Sequence, residues 1–165
     1  MADVPQEGTR APGFTLKGLS PQGEEVEVSL DDFLGKGKLI VLYFYPRDNT
    51  PGCTTEACDF RDSMNRIGER AVVLGVSPDS LASHRKFKEK HGLNFYLLSD
   101  PEKKVMEAYG AFGEKKMYGK VTKGVIRSTF IIGPDGTILK AWRNVRAKGH
   151  VDKVVKELEK ILEIE

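Results

Sequence analysis

Leu39-Ile40-Val41-Leu42-Tyr43-Phe44-Tyr45-Pro46-Arg47-Asp48-Asn49-Thr50-Pro51-Gly52-Cys53-Thr54-Thr55-Glu56-Ala57-Cys58 decides the fold, because it holds a strand, its stop, a helix start and both cysteines of the chain. Leu39 to Tyr45 is continuously apolar and aromatic and of strand length, the pattern of a central strand covered on both faces. Pro46 ends the run, since proline cannot donate to a ladder. Thr50-Pro51 then opens a helix, with a hydroxyl at the N-cap and a proline at the first helical position, where its missing N–H is harmless. On that count Gly52 is N2 and Cys53 is N3.

A sulfur at N3 sits among the unpaired N–H groups of the first turn, at the positive end of the helix dipole, and such a site favours a thiolate. The magnitudes show that more is needed. A thiol of ordinary pKa, near 8.5, is about 3% ionised at pH 7, while one near 6 is roughly 90% ionised. That difference is about 3.4 kcal/mol, whereas a helix end supplies about 0.3–1 and rarely about 2 kcal/mol. A strong nucleophile at Cys53 therefore calls for a fixed cation, and arginine is the better candidate because it stays charged when partly buried. Cys58 follows five positions later. On an ideal helix that offset separates the Cα atoms by about 8.7 Å and turns the side chains roughly 140° apart. A disulfide needs less than about 7 Å. The two can bridge only if the first turns unwind, which reads as a switching pair. A structural staple is the blander reading, but closing so short an interval would constrain the unfolded chain little.

The run Pro46-x-x-x-Thr50-Pro51-Gly52-Cys53-Thr54-x-x-Ala57-Cys58 resembles the active-site motif of peroxiredoxins, specifically the branch called bacterioferritin comigratory protein or peroxiredoxin Q. Supporting matches are Gly8-x-x-Ala11-Pro12-x-Phe14, Gly113 to Gly119, Arg127-Ser128-Thr129-Phe130, Gly133-Pro134-Asp135-Gly136, Trp142-Arg143 and Lys148-Gly149-His150-Val151, so the resemblance covers nearly the whole chain. It implies a thioredoxin-like fold and a peroxidase acting on hydrogen peroxide and alkyl hydroperoxides. In that reading Cys53 attacks the peroxide, Thr50 hydrogen-bonds it, Pro46 shields the site, and Arg127 stabilises the thiolate and the transition state. Cys58 matches the resolving cysteine, and a thioredoxin-like reductant protein would restore both thiols. No cofactor or metal is implied, and the branch is often monomeric.

Composition bounds the remaining classes. A chain of 165 residues is long enough for one domain with a sizeable core, expected to span 1–165. Its 26 basic and 24 acidic residues leave a formal charge of +2, which points to neither nucleic acid nor a membrane surface. There is no apolar run of about 18 residues and no signal-peptide layout from Met1 to Pro12, so a cytoplasmic protein is expected. In that compartment two cysteines more often mean redox chemistry than scaffolding.

Taken in order, Gly13 to Lys17 and Glu25 to Leu30 read as a half-exposed edge hairpin, and Asp31 to Gly35 as a short helical turn. The helix from Pro51 to Ile67 places Ala57, Phe60, Met64 and Ile67 at helical spacing, so its far end should be anchored while the cysteine end is free to fray. Ala71 to Val76 is a second buried strand, and Ser77-Pro78-Asp79 opens a helix that Gly92 closes. Phe95 to Leu98 is a short strand, and Asp100-Pro101 starts a helix ending near Gly110. Ala111 to Gly124 reads as a basic, glycine-punctuated loop, with Lys116 or Tyr118 a candidate for the site entrance. Val125 to Ile132 and Thr137 to Trp142 flank a turn signal and form a hairpin, and an amphipathic helix carrying Val151, Val154, Val155, Leu158, Ile161 and Leu162 closes the chain. This order predicts an α/β fold: a central mixed sheet with helices on both faces and an N-terminal hairpin extension.

Several side chains stay open between two roles. Arg47 competes with Arg127 as the required cation. Glu56 and Arg61 either brace the site or are solvated. One of Tyr43 and Phe44 lines the cysteine pocket and the other belongs to the core, while Trp142 reads as packing. His84, His91 and His150 show no metal spacing and read as surface or cap residues. Two rival functions are a thioredoxin-type thiol–disulfide oxidoreductase and a binding domain with a structural disulfide. Against the first, the cysteines are four residues apart rather than two, and Thr129 stands where a thioredoxin would place a proline.

Overall fold

The computed structural model describes residues 5–117 and 119–164, with residues 115–117 and 164 described in their backbone only. Strands β1 (Thr15–Leu19), β2 (Glu25–Ser29) and β3 (Leu39–Phe44) are followed by helix α1 (Pro51–Ile67), β4 (Ala71–Ser77) and α2 (Leu81–His91). Then come β5 (Tyr96–Ser99), α3 (Lys104–Ala108), β6 (Phe112–Met117), β7 (Lys120–Val125), β8 (Ser128–Ile132), β9 (Ile138–Arg143) and α4 (His150–Ile164). Seven strands form one sheet in the order β2-β1-β5-β4-β3-β8-β9. Its centre, β3-β4-β5, is parallel, and antiparallel pairs complete both sides. This is the mixed, thioredoxin-like sheet that the element order predicts.

β3 is buried at every residue, and its period of two divides the core. Leu39, Val41 and Tyr43 face one cluster, which takes in Ala57 and Phe60 of α1, Phe87 of α2, and Val154, Val155 and Leu158 of α4. Ile40, Leu42 and Phe44 face the other, with Met106 of α3, Tyr109, Phe130 and Ile138. Helices therefore cover both faces, and the carboxyl end of the central strand delivers the cysteine loop between them.

Four local expectations need correction. Ala111 to Gly124 is not a loop: β6 and β7 pair antiparallel from Phe112↔Val125 to Met117↔Lys120. Nearly all of β7 is exposed, so backbone pairing rather than an apolar pattern holds this hairpin, and hydropathy gave no sign of it. The strand expected from Val125 breaks at Ile126-Arg127, which frees Arg127 from the ladder. α2 starts after Ser80, whose Oγ accepts from the Ser83 N–H, and not at Ser77-Pro78-Asp79. His84, expected at the surface, is wholly buried, and so is His150 at the start of α4. Tyr118 and the Lys116 side chain lie outside the described residues.

Gly75 shows how closely the layer behind the cysteine is packed. A Cβ there would lie 2.8 Å from Tyr43 Cζ, and the Tyr43 ring is already stacked on Phe60 at 4.6 Å between centroids. Gly75→Ala is expected to destabilise the fold by about 1–3 kcal/mol. For a domain of this size that is a fall in Tm of roughly 2–12 °C, readable by calorimetry, and an unchanged Tm would contradict the packing described.

Candidate active site

α1 begins where the sequence places it. Thr50 is the N-cap in extended conformation, with φ −87° and ψ 154°, Pro51 is N1, and Cys53 is therefore N3. The capping role of the Thr50 hydroxyl is not realised, because its Oγ1 donates instead to the Arg47 carbonyl at 2.9 Å. That leaves the oxygen's lone pairs for an incoming donor. Asn49 reaches the cap through a left-handed conformation, φ 61°, which asparagine tolerates better than most residues. Pro46, half-buried, follows Tyr45 directly.

Cys53 is buried, 2% exposed, and belongs to the cluster that contains Tyr43, Tyr45 and Ala57. The cation beside it is Arg127. Its Nη2 donates to the Cys53 sulfur at 3.2 Å, and its Nη1 donates to Glu56 Oε1 at 2.5 Å. Arg47, the competing candidate, is exposed, and the hydrogen bond to the sulfur comes from Arg127. Glu56 thus braces the site, and Arg61 does not: it donates to the His91 carbonyl and to Asp62, tying α1 to α2. Gly52 leaves room for this arrangement, since a Cβ there would stand 3.2 Å from Arg127 Nη2.

The electrostatics are set by burial. Removal from water works against the Arg127 charge, and the Glu56 carboxylate and Cys53 sulfur more than offset it. For Glu56, fully buried, loss of hydration pushes the carboxyl up to about 7 against the pull of Arg127. Its Oε2 and the buried Tyr43 Oη have no hydrogen-bond partner among the described residues. Burial, reinforced by Glu56 and Cys53, pushes the Tyr43 hydroxyl well above its ordinary value. Tyr43 shares the core cluster of Cys53, so it is the member of the aromatic pair on the cysteine side, while Phe44 packs on the other face. His150 bonds Thr129 Oγ1 through Nε2 at 2.8 Å. Burial and the nearby Arg127 push it down to about 4, so it is neutral at pH 7.

Cys58 is half-buried on the intact helix and, like Cys53, a free thiol. The end of α1 that carries the cysteines is less free than its sequence suggests, because Cys53, Glu56 and Ala57 are all buried in its first two turns. A cavity of about 480 Å³ is lined by residues such as Phe33, Met64 and Tyr96, and neither cysteine lines it. Among the described residues no cluster of His, Cys, Asp and Glu could hold a metal ion.

A helix-borne thiol with a guanidinium at hydrogen-bond distance, on this sheet, defines a thiol-dependent redox enzyme. The pattern of the AhpC/TSA family matches residues 8–141, and the chain belongs to that family. It is 52% identical over 157 residues to peroxiredoxin Bcp of Bacillus subtilis, covering 94% of this chain and 96% of that one. It is 47% identical to a putative peroxiredoxin of Mycobacterium tuberculosis, covering 92% and 93%. Among solved structures, a cysteine-to-serine mutant of Xylella fastidiosa PrxQ superposes with TM-score 0.85 at 34% identity, covering 97% and 99%. The Xanthomonas campestris bacterioferritin comigratory protein, in a study of its alkyl peroxide reduction, superposes with TM-score 0.78 at 39% identity, covering 88% and 90%.

The raised Glu56 carboxyl carries a stability consequence. The folded chain holds this proton more tightly than the unfolded chain does, so the contribution is fully present below about pH 4.5 and is lost as the pH rises through about 7. Glu56→Gln removes the titration. Its Tm relative to wild type is expected to rise as the pH goes from 4.5 to 7, and calorimetry across that window showing a constant difference would refute the assignment.

Proposed function

We propose that this thiol-dependent peroxidase uses Cys53 as the sulfur that attacks peroxide and Cys58 as the sulfur that resolves the product. The observation that carries the reading is the Arg127 guanidinium, 3.2 Å from the Cys53 sulfur and held from behind by Glu56. The Cys53 thiolate attacks one peroxide oxygen in line. An S–O bond forms as the O–O bond breaks, and the distal oxygen leaves as alkoxide or hydroxide that takes up a proton. Arg127 stabilises the charge as it moves from sulfur to oxygen, together with the N–H groups of the first helical turn. Thr50, its hydroxyl already donating to Arg47, accepts a hydrogen bond from the peroxide O–H and so orients it. Pro46 screens the reacting atoms from water.

The product is a sulfenic acid on Cys53. The Cys58 thiol condenses with it, releasing water and forming a disulfide, after the first turns of α1 have unwound. Substrates are hydrogen peroxide and alkyl hydroperoxides, and a thioredoxin-type dithiol protein reduces the disulfide by exchange. The protein works as a single-domain monomer in the cytoplasm. In support of that setting, no helix among the described residues is long and apolar enough to cross a membrane.

Stopped-flow mixing with peroxide, followed by mass analysis, tests the assignment. Cys53→Ser is expected not to react. Cys58→Ser is expected to consume one equivalent and stop at a trappable sulfenate, while wild type gains an intramolecular disulfide. Turnover by Cys53→Ser, or sulfenate on Cys58, would overturn it.

A further inference from the structure

The densest buried polar cluster outside the Cys53–Arg127–Glu56 group lies at the base of the loop from Pro46 to Thr50. Asp48 is 6% exposed and His84 is wholly buried. Asp48 Oδ1 accepts from Tyr45 Oη at 2.6 Å. Its Oδ2 accepts from Ser83 Oγ at 2.8 Å and lies 2.7 Å from His84 Nδ1. The other ring nitrogen, Nε2, lies 2.8 Å from the Leu98 carbonyl oxygen. A carbonyl oxygen can only accept, so Nε2 must carry a proton. The carboxylate, already taking two hydroxyl donors, faces Nδ1 as a third acceptor. With Asp48 ionised both ring nitrogens donate, since a neutral ring facing a carboxylate would set two lone pairs against each other at one contact.

We infer that Asp48 and doubly protonated His84 form a positioning pair that fixes the catalytic loop, joining its midpoint to α2 and β5. Neither residue touches the reacting atoms. Asp48 stands two residues after Pro46 and two before Thr50, with the left-handed Asn49 next to it, so its anchoring sets the course of the chain through both. The loop is held a second time by the Asp48 N–H, which donates to Asp79 Oδ2 at 2.7 Å. The ionisable groups around the pair are few. Tyr45 reaches it from the end of β3, and Asp79, from the β4–α2 connection, faces the Asp48 backbone and Ser77 Oγ. Lys88, one turn along α2, is spent on the Leu93 and Phe95 carbonyls, and Asp100 beyond β5 accepts from the Met106 N–H. The part of the grip that comes from His84 therefore depends on one proton of its ring, while the contacts from Tyr45, Ser83 and Asp79 remain without it.

This inference rests on the roles given above to Pro46 and Thr50, and three measurements on the full chain separate the two. Nitrogen-15 NMR of the reduced protein at about pH 7 is expected to show protons on both His84 ring nitrogens, and a singly protonated ring there overturns the proposal. Asp48→Asn keeps the shape and lets an amide donate to Nδ1 of a neutral ring, so its grip no longer titrates. The ratio of its peroxide rate constant to that of wild type is expected to rise between about pH 6 and about pH 9, and a flat ratio overturns the proposal. Asp48→Ala is expected to slow the peroxide step at least about tenfold, within the roughly hundredfold that a misplacement of about an ångström can cost. Alkylation of Cys53 by iodoacetamide, which needs neither Pro46 nor Thr50, stays unchanged. A parallel loss of both rates, or of neither, overturns the positioning role, and the other two measurements decide if the alanine variant does not fold. Loss of peroxide consumption in Cys53→Ser leaves the parent mechanism intact whichever way these fall.

Discussion

One guanidinium organises the site. Arg127 stands between the Cys53 sulfur and the Glu56 carboxyl and donates a hydrogen bond to each. A helix end alone stabilises a thiolate by about 1 kcal/mol, too little to ionise an ordinary thiol at neutral pH. The Arg127 guanidinium, 3.2 Å from the sulfur, adds a second attraction for a thiolate there. Glu56 makes a largely desolvated arginine tolerable and fixes the orientation of its fork, which lysine could not reproduce. Arg127 lies in the break between β7 of the two-stranded ribbon and β8 of the main sheet, and the break is held by the Val145 N–H, which donates to the Arg127 carbonyl at 3.0 Å.

What sequence patterns reveal follows what they encode. β3, the start of α1 at Pro51, the β8–β9 hairpin and the apolar face of α4 are legible because apolar period and proline placement specify them locally. The β6–β7 hairpin is not, because lysine and glycine interrupt any apolar period in it and β7 is largely exposed. His84 was illegible for another reason. On α2 it sits among charged neighbours, and only the return of β5 and the cysteine loop gives both ring nitrogens their acceptors. Asp48 looks like a turn residue until Tyr45, Ser83 and His84 converge on it. Glu56 and Arg61 are both candidates to brace the site, and the three-residue offset of Glu56 keeps it within one turn of Cys53 while Arg61 lies about 12 Å along the axis, which decides between them.

Burial in the first turns of α1 changes how the proposed cycle has to work. Spacing alone allows the cysteine end to fray, yet unwinding must withdraw Cys53, Glu56 and Ala57 from the core and part Glu56 from Arg127. The reduced helix is therefore latched. Oxidation alters that balance in a definite direction: a sulfenic acid is neutral, so the Coulomb attraction between sulfur and guanidinium is reduced, and the added oxygen must fit a pocket lined by Tyr43 and Tyr45. Both changes disfavour the wound form only after the peroxide has reacted. The distal half of the helix is unaffected, because Phe60 and Ile67 remain in the core and Arg61 stays bound to the His91 carbonyl. In the proposed cycle this confines unwinding to the segment between the Asp48 anchor and Phe60, the segment that would carry Cys58 toward Cys53.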